Sequence, residues 1–113
     1  MTTLQKLVEL IALTSSSLSE DVEKKLKKSL AAEKKAGNAS AVLALSTILE
    51  NVAIARRDKT PLCQDTGTLT FFVDGSLRRI VTESLLKKAV AIATEKGYLR
   101  KNTIDSITGL SYD

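Results

Sequence analysis

One short run, Pro61-Leu62-Cys63-Gln64-Asp65-Thr66-Gly67, holds the chain's only proline and only cysteine beside an amide and a carboxylate. A thiolate can ligate a metal or attack an electrophile, an amide can donate to a carboxylate, and a carboxylate can accept from a hydroxyl. The sequence contains no histidine, so Cys63 lacks the base that papain-like chemistry needs. A single thiolate also cannot close a tetrahedral zinc site. Two readings of Cys63 stay open: a metal or cluster ligand whose fellow thiolates come from elsewhere, and a small buried apolar residue. Gln64 and Asp65 read equally as substrate contacts or as turn formers, with Asp65 bonding its own backbone and Gly67 accepting positive φ. Asp65-Thr66-Gly67 matches the aspartic-protease triplet, but the helical flanks do not suit that β-rich fold. Arg100 is the remaining candidate, either as a two-pronged carboxylate clamp or as a solvated arginine. A phosphate loop is excluded, because the glycines and the Gly-Lys-Ser/Thr that define it are missing.

The elements that must position these residues are mostly helices. Leu4, Leu7, Val8 and Ile11 recur at three- and four-residue spacing, with Leu10 widening the stripe, and predict a helix ending near Thr14 to Ser17. Ser17 with Glu20, or Ser19 with Glu20 and Asp21, can cap the next helix. That helix should run from Ser19 to Ala36, turn Val22, Leu26 and Leu30 inward, and stop at Gly37-Asn38. A third is expected from Ala39 to Arg57, burying Val42, Leu45, Ile48, Leu49, Val52 and Ala55, with Arg56 and Arg57 complementing its dipole. Pro61 breaks the pattern. The β-branched and aromatic residues from Leu69 to Val73 then predict a short strand closed by Asp74-Gly75. Ser76 is a candidate cap for a fourth helix that carries Leu77, Ile80, Val81, Leu85, Ala89 and Ile92 as far as Gly97. Tyr98 to Thr103 should be extended, and Asp105 to Gly109 should turn. The expected fold class is mainly α (α+β), a single domain over residues 1–113 with a short β element after the Cys63 loop.

Composition narrows the function classes. With 113 residues and 43% hydrophobic content, the chain suffices for one modest core built largely from aliphatic side chains. A lone cysteine cannot form an internal disulfide, the N-terminus lacks a signal-peptide pattern, and no apolar run approaches membrane-spanning length. A cytoplasmic location is therefore expected. The formal charge of +4 is moderate, and the lysines from Lys24 to Lys35 are interleaved with Glu20, Asp21, Glu23 and Glu33. Without arginine clusters or stacking aromatics, nucleic acid is disfavoured as a partner.

The segment Ala55-Arg56-Arg57-Asp58-Lys59-Thr60-Pro61-Leu62-Cys63-Gln64-Asp65-Thr66-Gly67, followed by Leu69-Thr70-Phe71-Phe72-Val73, resembles the N-terminal portion of the iron–sulfur hydro-lyases. These are class I fumarases and the alpha subunits of L-tartrate dehydratase. The likeness extends more weakly over the preceding helices and over Leu99-Arg100-x-Asn102. It implies that Cys63 is one of three protein ligands to a [4Fe-4S] cluster whose open iron acts as a Lewis acid. It further implies that Gln64 and Asp65 contact a small dicarboxylate and that Arg100 clamps it. The implied reaction is reversible dehydration of a 2-hydroxy dicarboxylic acid, of malate/fumarate or tartrate type. The sequence departs from the family after Thr108-Gly109, and the other cluster cysteines and acid/base residues are absent. The expectation is therefore a fragment or subunit that is inactive alone, completed by the remainder of an alpha subunit, a separate beta subunit, or both. The alternative is a non-catalytic helical domain that binds a protein or nucleic acid.

Overall fold

The computed structural model describes residues 1–63, 68–101 and 107–108. Its elements are helices α1 (Thr3–Ser16), α2 (Glu20–Ala36) and α3 (Ala39–Asp58), a single 3-10 turn (Gly75–Leu77), and α4 (Glu83–Glu95). Helix α1 packs against α4, α2 pairs with α3, and a smaller contact joins α1 to α3. The radius of gyration is 17.7 Å, against about 13 Å for a compact domain of this length. Two helix pairs side by side account for that extended shape.

Local chemistry sets the helix ends. Thr2 and Gln5 form a capping box: the Gln5 N–H donates to the Thr2 hydroxyl oxygen, and the Thr2 N–H donates to Oε1 of Gln5. Ser19 is the residue before α2, with Glu20, Asp21 and Glu23 in the favourable first turn. Gly37, at φ 74°, ends α2 in a left-handed turn, the Gly37 N–H bonding to Lys34 O and the Asn38 N–H to Glu33 O. The side chain of Asn38 then caps α3 through the Ala41 N–H.

The main core lies between α1 and α4. Val8 and Ile11 meet Ala89 and Ala93, with Leu99 closing one end. The two alanines are fully buried, and their small side chains let the helices approach closely. The hairpin is drier at one point only, around Val52 and Ala55, and no residue of α2 is buried. Ion pairs supplement it. Arg56 reaches from α3 to Glu23 on α2, and Lys27 joins the same carboxylate at 2.9 Å. Together they hold the Glu23 carboxyl well below its ordinary value, from 4.5 to about 2.

Several expectations need correction. No strand forms among the described residues; Thr68 to Val73 is irregular. A β-prone run needs a second strand to bond to, and here Phe71 instead packs on the α1–α4 core while Phe72 points outward. The fourth helix begins after Thr82, not at Ser76. Asp74 bonds the Ser76 N–H and hydroxyl and makes only a 3-10 turn, whereas the Thr82 hydroxyl accepts from the Leu85 N–H and starts α4. Leu77 and Ile80 are consequently exposed, as are Leu10, Val22 and Ile48. Helix α3 is long and apolar enough by length and composition to cross a membrane, contrary to expectation, because its seven Val, Leu and Ile residues outweigh the polar ones scattered among them. Glu50 sits near its middle, however, where a charge costs about 3 kcal/mol in a bilayer, and Arg56 is committed to α2.

Candidate functional site

The Cys63 loop is anchored by three separate parts of the chain. Helix α3 ends at Lys59, which adopts the left-handed conformation (φ 52°) and gives its N–H to Ala55 O. The Lys59 ammonium bonds Glu9 of α1 at 2.8 Å, and the Thr60 N–H bonds Ala55 O at 3.1 Å. Pro61 then carries the chain across to α1. The Leu62 N–H donates to Ser15 O at 2.9 Å, and Leu62 O accepts from Nδ2 of Asn51 at 2.9 Å. Both polar groups of the Leu62 backbone are thus satisfied, one from α1 and one from α3. Cys63 follows directly and is exposed.

The third anchor comes from beyond α4. Gly97, at φ 78°, reverses the chain, with the Gly97 N–H bonded to Thr94 O and the Tyr98 N–H bonded to Ala93 O. Nothing crowds a side chain there, so glycine is required by the positive φ alone. The reversal lays Tyr98 to Arg100 back along α1, where the Ser15 hydroxyl donates to Tyr98 O at 2.9 Å. Leu99 enters the core. Arg100 then donates from Nε to Cys63 O at 3.1 Å.

The structure therefore brings Cys63 and Arg100 together across 37 residues of sequence. Gln64, Asp65 and Asn102 lie outside the described residues. Because Nε is taken up by the carbonyl, the Nη groups of the guanidinium are the ones available to an anion. Sequence reasoning missed Ser15 and Asn51. Ser15 lies in the polar stretch that ends α1, a pattern that signals a helix terminus and nothing more. Asn51, an amide two turns before the end of an apolar helix, was the signal that went unused.

Beside the loop lies a cavity of about 460 Å³ between the C-terminal half of α1, Pro61 to Cys63 and Leu69 to Phe72, closed by Leu99. Its lining is largely aliphatic and aromatic, with Thr14, Ser15 and Thr70 as the hydroxyl-bearing members. Cys63 is among the lining residues, and Arg100 is not.

The donor set fits one ligand position of a cluster and not a complete site. Among the described residues, no group of three His, Cys, Asp or Glu side chains gathers where it could hold a metal ion, and Cys63 is the one cysteine in the sequence.

Comparison with known proteins agrees with the resemblance seen in the loop. The family model described as fumarate hydratase (Fumerase) matches residues 4–111. A protein of Geobacillus stearothermophilus assigned as fumarate hydratase class I is 37% identical over 107 residues, covering 93% of this chain and 20% of that protein. The L(+)-tartrate dehydratase subunit alpha of Escherichia coli (strain K12) is 36% identical over 107 residues, covering 88% of this chain and 34% of that subunit. A Methanocaldococcus jannaschii protein assigned as L(+)-tartrate dehydratase subunit alpha is 33% identical over 108 residues, 89% of this chain and 36% of its own length. The chain thus spans between a fifth and little more than a third of these curated relatives. With the match running through all four helices and the Cys63 loop, the chain belongs to the fumarate hydratase (Fumerase) family.

Proposed function

We propose that this chain forms one wall of the active site of an iron–sulfur hydro-lyase. The enzyme reversibly removes water from a 2-hydroxy dicarboxylic acid of malate or tartrate type. In this reading Cys63 supplies one thiolate to a [4Fe-4S] cluster, Arg100 binds a substrate carboxylate, and Gln64 and Asp65 contact the rest of the substrate. Residues 1–113 act as a single domain in the cytoplasm. The remainder of an alpha subunit, a separate beta subunit, or both, supply the other cluster ligands and the acid/base groups. The isolated chain is inactive on this account.

The observation that supports the reading is the hydrogen bond from Arg100 Nε to Cys63 O. It holds a cation against the backbone of the chain's one cysteine, and it leaves the outer edge of the guanidinium for a carboxylate. A dicarboxylate bound there would have one end fixed next to the cysteine. The tether also limits side-chain freedom, so less entropy is lost when substrate binds.

The test is steady-state kinetics of the chain assembled with the rest of a hydro-lyase under anaerobic conditions. Arg100→Gln should raise KM for the dicarboxylate by about tenfold or more, the value of a charge-assisted bond, while iron content stays unchanged. An unaltered KM would remove Arg100 from the site.

The alternative, a non-catalytic interaction domain, draws on the exposed lysines of α2. Lys24 and Lys27 there pair with Glu20 and Glu23 one turn earlier, as expected of a solvated helix face.

A further inference from the structure

Resting on the hydro-lyase reading, we propose that the apolar groove beside Cys63 is the seat of the remaining hydro-lyase polypeptide and not a substrate pocket. An apolar segment of that polypeptide packs on Leu10, Leu69 and Phe72. The lining decides against a dicarboxylate. Moving carboxylates onto Leu10, Ile11, Leu62, Leu69 and Phe72 strips their water without providing a cation, and Arg100 lies outside the groove.

Exposure points the same way. Phe72 is 95% exposed and Leu10 54% exposed, although both line one concave surface. Apolar groups gathered in this way mark a contact surface, whereas scattered ones do not.

The occupant follows from two further facts. About two thirds of the alpha-subunit relatives lies outside the part this chain matches, and Cys63, the one cysteine of the sequence, lines the groove. On the hydro-lyase reading, polypeptide that brings further thiolates to Cys63 comes up against this groove. Covering it would bury Phe72 and exclude water from the cluster side of the site.

The experiment joins the full chain to the unmatched portion of the E. coli L(+)-tartrate dehydratase subunit alpha and follows backbone amide exchange from Leu69 to Phe72. In the joined protein these amides should exchange about tenfold more slowly, or slower still, than in the chain alone. Phe72→Ser should abolish that protection while leaving the melting temperature of the separate chain unchanged, since the ring makes little contact there. Equal exchange in both forms would overturn the proposal. So would protection already present in the separate chain through dimerisation, visible by sedimentation. Protection without cluster or turnover would instead leave the groove assignment standing and count against the hydro-lyase reading.

Discussion

The α1–α4 pair and the α2–α3 hairpin are built in different ways. Between α1 and α4, fully buried alanines and a small aliphatic cluster set the spacing. Hydrogen bonds from Ser15, Asn51 and Arg100 then lock the connecting segments to one another. The hairpin has no buried residue on α2 and relies on half-exposed aliphatic contacts and surface ion pairs. Burial of apolar area stabilises by about 25 cal/mol per Å² and is not screened by salt, while exposed ion pairs contribute little and are screened. The candidate site sits on the half whose geometry is over-determined. That is where the bond from Arg100 to Cys63 O lies. The hairpin's contribution to the site is Asn51 and the turn at Lys59.

Three tests set the halves against each other, beginning with the largest effect. Ile11→Ala opens a hole in the α1–α4 core and should destabilise the chain by about 2–4 kcal/mol in urea unfolding. Ile48→Ala, on the exposed side of α3, should cost well under half of that. Similar losses at the two positions would show that the halves are equally well packed.

The second test uses paired glycines. Gly37 and Gly97 both hold positive φ with open space around them, so alanine at either should cost a similar ~1–2 kcal/mol from backbone strain. Only Gly97→Ala should also displace Arg100 from Cys63 and weaken dicarboxylate binding in the assembled enzyme. If Gly37→Ala weakens binding as much, the site is not confined to the α1–α4 half.

The smallest effect is the hairpin's response to acid. The Glu23 carboxyl is held low, from 4.5 to about 2, first by its bond to Arg56 and then by Lys27. Because the folded value lies below the unfolded one, this contribution is complete above pH 4.5 and fades as pH falls towards 2. Stability measured across that window should decline less steeply in Glu23→Gln, and high salt should shrink the difference. An identical slope in both proteins would mean that the Arg56–Glu23 pair does not tie α2 to α3.

Much of the helical frame was legible because its signals are local. Ser19 with its acidic first turn, Gly37-Asn38 and the stripe through α3 place three helices within a residue or two of their observed ends. The start of α4 was misread because Ser76 and Thr82 are both acceptable caps, and the choice depends on Asp74 drawing the Ser76 backbone into a tight turn. The strand from Leu69 to Val73 failed for a related reason: propensity describes one segment, and a strand needs two. Cys63 and Arg100 both stood out by residue type, and the resemblance gave each a specific role. Their meeting was invisible in the sequence, since it depends on a glycine turn at Gly97 and on bonds from Ser15 and Asn51 that leave no periodic trace.

The central claim is that Cys63 is a cluster ligand in a site this chain only partly builds. It is tested most directly by measuring bound iron and acid-labile sulfide after anaerobic reconstitution of the chain joined to the remainder of an alpha subunit, with its beta subunit present. The unaltered protein should acquire a cluster and dehydrate a 2-hydroxy dicarboxylate, and Cys63→Ala should lose the cluster and the turnover together. Cluster content and turnover in Cys63→Ala equal to those of the unaltered protein would contradict the claim.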